Sequence, residues 1–178
     1  MRRSLLQVAA AALVALAAVA APASAEPTAA ARGTAAPTLE QALVAEINAV
    51  RADHGLRPLR LNASLGAAAS NHAQAMVDAG FFGHESQDGT PFWRRVERFY
   101  GSRGYAYWSV GENLLWASPD VDAAEAVRRW LDSPSHRKNL LTRRWRELGL
   151  AAVHSTAAPG SFDRRAVTVL AAEFGVRG

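Results

Sequence analysis

The chain contains no cysteine. That excludes disulfides, a thiolate nucleophile and a lipid-modified cysteine anchor together. No serine stands in a G-x-S-x-G turn, so the strained elbow that presents a hydrolase serine is missing. The H-E-x-x-H spacing of helical metallopeptidases is missing too. No internal repeat is visible. The one long apolar run, Val8 to Ala21, falls short of the roughly 20 residues that cross a bilayer. Charge is not strongly one-sided either. The net +4 includes Arg2 and Arg3, and residues 1–25 hold no acid, so the remainder carries +2.

What is present divides into three parts. Residues 1–25 have two early arginines, the apolar run and the small-residue site Ala23-Ser24-Ala25, which together read as a secretory signal peptide. The flanks of the arginine pair suit the general secretory route better than the twin-arginine one. Residues 26–37, "EPTAAARGTAAP", offer no apolar face and read as a flexible linker. A folded domain is expected over 38–178, secreted or wall-associated, and stabilised by its core alone. Its arginines cluster at 94–103 and 128–146. Nucleic-acid binding would want aromatics interleaved on one basic face, and export argues against it. A solvated face beside an anionic envelope is the simpler account.

Hydrophobic spacing predicts five helices. The first spans 38–55, with a Thr38/Gln41 capping box and a Leu39, Leu43, Val44, Ile47, Val50 stripe. The second spans 62–80, capped by Asn62 and stopped by Gly80, with alanines that imply a close neighbour. A short third follows Thr90 as cap and Pro91. A fourth spans 118–133, with Val121, Ala124, Val127 and Leu131 on one face. A fifth follows Ser133 and Pro134. "ELGLAAVHST", "RRAVTVLAAEFG" and "YAYWSV" before Gly111 read as strands, the first two joined by "AAPGSFD". The fold class expected is α+β, with a small antiparallel sheet covered by helices.

Three groups carry chemistry. Glu112 follows a glycine in apolar "WSVGENLLWASP". His136 lies in the first turn of "SPSHRKNLL", and His84 in turn-rich "FFGHESQDGTPFW". Two imidazoles and a carboxylate can hold a divalent ion with one position open. They can equally form an acid–base cluster around a polar ligand, or each can satisfy its own local backbone.

Taken in order, "FFGHESQDGTPFWRRV", "YAYWSVGENLLWA", "AVRRWLDSPSHRKNLL" and "ELGLAAV…VTVLAAEFG" resemble the CAP superfamily, which unites cysteine-rich secretory, antigen 5 and pathogenesis-related proteins. The G-E-N and W-x-x-S-P-x-H-R-x-N-L segments are similar to its bacterial secreted branch, over about residues 39–175. The resemblance implies an α-β-α sandwich with a small central antiparallel sheet. It also implies a cleft lined by His84, Glu112, His136 and Asn113, and a divalent metal, often zinc, at His84 and His136. The roles it implies are diverse: lipid or sterol binding, defence and contact with the cell envelope, with catalysis in a few members. One departure stands out. Many relatives carry a second glutamate three residues after the tryptophan of the fourth helix; here that position is Ser133, and the adjacent Asp132 is rotated by about 100° on a helix.

Of the other residues, His72 reads as a satisfied core histidine, His54 as a helix-exit residue and Asn139 as a backbone partner in a turn. Trp93, Trp116, Trp130 and Trp145 read as packing, Trp108 with Tyr105 and Tyr107 as a cleft mouth, and Arg137 as solvated. Three functions are carried forward. The first is a binding module for a small hydrophobic or envelope-derived ligand, with no catalytic residue assigned. The alternatives are a metal-dependent hydrolase using His84, His136 and Glu112, and a structural or interaction domain with a vestigial cleft.

Overall fold

The computed structural model describes residues 38–178. The expected signal peptide and linker lie outside the described residues. In chain order the elements are α1 (Leu39–Asp53), β1 (Arg60–Leu61), α2 (Ala63–Ala79), α3 (Phe92–Glu97), β2 (Trp108–Ala117), α4 (Ala123–Asp132), α5 (Pro134–Leu140), β3 (Glu147–Ala158) and β4 (Arg165–Arg177), with one 3₁₀ turn, Gly160–Phe162, between β3 and β4.

The start and stop chemistry acts where the sequence places it. The Thr38 hydroxyl accepts from the Gln41 amide, and the Gln41 side chain accepts from the Thr38 amide. Asn62 accepts from the amides of Ser64 and Leu65, and Gly80 ends α2 in the left-handed conformation. Two caps differ from expectation. Pro91, not Thr90, is the residue before α3, and Ser133 precedes α5 without a side-chain cap bond. Asp122, for which no expectation was set, caps α4 by accepting from the Glu125 amide. The α4 register moves with it: Ala123, Ala126, Val127 and Trp130 are buried, whereas Ala124 is exposed.

The sheet order is β1-β3-β4-β2. β2, β3 and β4 form the antiparallel body that was expected. β1 adds a two-residue parallel edge, so the sheet is mixed. Two residues carry no period, which hides β1 from a sequence reading. It is held by Asn48, whose side chain accepts from the Leu59 amide and donates to the Leu59 carbonyl. β2 was expected to stop before Gly111. It continues to Ala117 because its ladder with β4 runs unbroken from Trp108↔Arg177 to Ala117↔Thr168.

Helices cover both faces. On one, α1, α4 and α5 bury Ile47, Val127, Trp130 and Leu140 against Leu148, Leu170, Ala172 and Phe174. On the other, α2 buries Ala69 and Met76 against the alternate residues Leu114, Ala151, Val169 and Ala171, and its Leu65 packs with Val96 of α3, Tyr100 and Val110. β4 is central and covered twice, which is why "AVTVLAAEFGV" is almost continuously apolar. α5 is fixed from outside the sheet by Arg51 of α1. Its guanidinium is fully buried and donates to the carbonyl of Leu140 (2.7 Å), a group the helix end leaves unpaired, and to that of Thr142 (3.2 Å) just beyond.

The alanines of α2 serve the close approach that the sequence implies. A Cβ added at Gly149 of β3 would lie 2.1 Å from the Leu65 carbonyl carbon and 2.2 Å from the Gly66 nitrogen. One added at Gly66 would meet nothing within 4 Å. The two glycines therefore carry opposite expectations. Gly149→Ala should cost about 3 kcal/mol through overpacking against a helix backbone. Gly66→Ala should gain up to about 1 kcal/mol of helix propensity. Urea unfolding midpoints of the two variants check both signs.

Candidate functional site

The site is built where β2 forms the free edge of the sheet. Glu112 of β2 lies directly across from Glu173 of β4, so both carboxylates point to the α2/α3 face. Both are almost wholly buried. Such groups need a cation or a proton, and this site supplies both. The buried Arg95 guanidinium of α3 donates to Glu112 Oε2 and reaches Glu173 Oε1 at 3.4 Å. One guanidinium offsets one carboxylate. Burial, and then the neighbouring Glu112, hold the Glu173 carboxyl well above the usual range, so it keeps its proton. Burial also raises Glu112, with Arg95 and a hydrogen bond to Glu173 opposing.

His84 is fixed at three points. Its Nδ1 lies 2.7 Å from Glu112 Oε1, Arg95 Nη1 donates to its carbonyl at 2.8 Å, and His72 Nε2 donates to the carbonyl of Gly83 at 2.8 Å. The His84 side chain stays 52% exposed, leaving Nε2 free to face the cleft. Burial, and then the Arg95 charge, lower the His72 pKa to about 4, so that ring is a neutral structural donor, as its place on the apolar side of α2 implies.

The second wall comes from α5, on the other face. Asn139 donates to the Glu112 carbonyl (2.9 Å) and to Asn113 Oδ1 (2.9 Å), and Asn113 donates to the His136 carbonyl (3.1 Å). His136 is half-buried one turn before Asn139. Burial, and then charge on His84, lower its pKa. Between the walls lies a cavity of about 480 Å³ lined by His84, Glu85, Pro91, Phe92, Val110, Gly111, Glu112 and Asn139.

Set against expectation, His84 and Glu112 meet directly. His136 was expected in the cleft as well; it is not among the residues that line the cavity, and only its carbonyl is tied to β2, through Asn113. Asn113 was expected in the cleft; it is fully buried and ties α5 to β2, so it shapes the wall without lining it. Asn139 lines the cavity in its place. The Ser133 hydroxyl meets only that of Ser135 (3.3 Å) among the described residues, and Asp132 is exposed; the second acid of the cluster is Glu173. Trp108 does not form the cleft mouth: its indole donates to the Tyr100 carbonyl, and Tyr105 stacks under Arg177. Arg95 and Glu173 were not singled out. Glu173 carries a signal, the lone charge in an apolar strand. Arg95 carries none, because Arg94, Arg95 and Arg98 look equally solvated in sequence.

The cluster sets a pH dependence. Glu173 keeps its proton in the fold above the ordinary value of 4.5, so its contribution is complete below that value and is lost as pH rises through the raised one. His72, His84 and His136 are lowered from 6.5, so their contribution is complete above 6.5 and is lost as pH falls. Above pH 6.5 the carboxyl pair, faced by Arg95, governs. The melting temperature of the wild type should therefore decline as pH rises above 6.5, and Glu173→Gln should flatten that decline. Equal slopes would show that Glu173 holds no extra proton.

Comparison with known proteins bears on this site. Residues 44–169 match the CAP, or cysteine-rich secretory protein, family model. YkwD of Bacillus subtilis is 34% identical over 117 residues, covering 65% of this chain and 43% of that protein. The chain thus spans less than half of that relative. An extracellular SCP-domain protein of Bacillus anthracis superposes with a TM-score of 0.56 at 25% identity, over 76% of this chain and 42% of that one. An outer surface protein of Borrelia burgdorferi shares the fold with a TM-score of 0.59 at 23% identity, over 76% of this chain and 90% of that one. Cysteine-free as it is, the chain belongs to the cysteine-rich secretory protein (CAP) family and has its α-β-α sandwich.

Proposed function

We propose that the domain is an exported binding module whose cleft holds an envelope-derived ligand with a polar group and an apolar portion. The observation that carries this reading is the cavity itself. Pro91, Phe92 and Val110 offer it apolar surface, while the fixed His84–Glu112 pair offers oriented polar atoms. That mixture is what small-molecule sites use. The extracellular and outer-surface relatives support export, and among the described residues no helix is long and apolar enough to cross a membrane. The absence of a cysteine, and of a serine in a nucleophile elbow, favours binding over covalent chemistry.

A zinc ion fits the cleft in a limited way. Among the described residues no three His, Cys, Asp or Glu side chains are grouped to hold a metal. Glu112 is committed to Arg95 and His84, so it orients His84 from behind, as carboxylates do for metal-binding histidines. His84 and His136 would then hold the ion. Bound zinc would supply Lewis acidity, which keeps a metal-dependent hydrolase as the second reading.

Two measurements test these readings. Protein incubated with an envelope extract should retain a ligand detectable by mass spectrometry, and His84→Ala or Glu112→Gln should lose most of it. No retention above a control protein would leave only an interaction domain with a vestigial cleft. Saturating zinc should raise the melting temperature by about 5 °C, and His84→Ala and His136→Ala should each remove that rise; an unmoved wild type removes zinc from the site.

A further inference from the structure

We infer that the cleft takes its ligand as an extended peptide, added to the free edge of β2 by main-chain hydrogen bonds; this rests on the reading of the cleft as a binding site.

The argument is one of parity. Tyr107 and Gly178 exchange both backbone hydrogen bonds, at 2.9 and 3.2 Å, so they form a hydrogen-bonded antiparallel pair. The β2–β4 register continues from them without a shift. Odd-numbered residues of β2 therefore turn their N–H and C=O toward β4, and even-numbered residues turn theirs outward. Two side chains agree with this: Asn139 donates to the outward carbonyl of Glu112, and Trp130 to that of Leu114 (3.1 Å). The N–H and C=O of Val110, and the N–H of Glu112, have no partner among the described residues. All three belong to residues that line the 480 Å³ cavity. An unpaired row of this kind is a template for another strand.

The occupant is a short peptide, not a second copy's sheet. The open stretch is bounded: Asn139 and Trp130 close it beyond Glu112, and the 84–92 segment walls it on the other side. There is room for about three main-chain bonds, with alternate side chains directed to Phe92 and His84 on one wall and to Asn139 on the other. Glu85, exposed and without an ion pair among the described residues, adds a preference for positive charge on the peptide.

The test uses acetylated, amidated hexapeptides randomised at the four central positions. They are selected on the immobilised domain, and a selected peptide is then resynthesised with each amide N-methylated in turn. Methylation should weaken binding at least tenfold at alternate positions and leave those between unchanged. Val110→Pro removes an outward N–H without breaking the ladder to β4, a place where a strand tolerates proline. It should lose at least tenfold in affinity while retaining the melting temperature. No selection above empty resin, methylation effects without a two-residue period, or a folded Val110→Pro that binds normally would each overturn the inference. So would a concentration-dependent dimer dissolved by Val110→Pro, which would give the edge to a second copy. A lipid or glycan retained from envelope extract in the absence of peptide binding would overturn it while leaving the binding reading intact.

Discussion

A guanidinium buried inside the sandwich holds the site in place. Arg95 pairs with Glu112, reaches Glu173 and grips the His84 carbonyl. Among the described residues its Nε has no partner, and neither does Glu173 Oε2. By the energetics of buried ion pairs, apolar residues of similar volume would serve stability at least as well. What the charges provide is position. They fix a carboxylate that cannot swing to solvent, and that carboxylate fixes one face of His84.

The opposite wall is fixed by different means. α5 is too short to hold its own place. Arg51 ties its C-terminal end to α1, and Asn113 and Asn139 tie its side to β2. Trp145 and Asn139 crowd Gly111, where an added Cβ would come within 2.9 Å of the indole. That glycine lets α5 lie close enough to the strand for one cavity to reach both walls. The cleft is therefore a seam between two independently anchored faces, which meet at the sheet edge.

Much of this was legible in the sequence, and the unread parts share a cause. The Thr38/Gln41 capping box, Gly80 and the apolar stripes are local signals, and they placed α1, α2 and α5 within a residue or two, whereas α4 starts at Ala123, well inside its expected segment and with a shifted stripe. The motif resemblance singled out His84, Glu112 and His136; the first two meet and line the cavity, and His136 stands outside its lining. β1, the full length of β2 and the roles of Arg95, Glu173 and Arg51 depend on partners far along the chain. Arg51 acts on residues 89 and 91 positions away, and no window of sequence contains that information. Glu173 was the exception, visible as a charge where the strand tolerates none. Ser133 then ceases to be a gap, because the second acid enters from β4.

A strand couples two directions that a list of site residues leaves separate. In β2, residues whose side chains face α3 are also those whose main-chain groups face outward. The register that presents Glu112 to His84 and Arg95 thus also presents the Glu112 amide and the Val110 peptide groups to the cavity. A slip of one residue would turn the carboxylate toward α5 and bury those amides against β4. The acid–base pair and the open edge are two consequences of one register. A ligand that engages both meets a single preformed surface, whose geometry is set by the ten-residue ladder between β2 and β4.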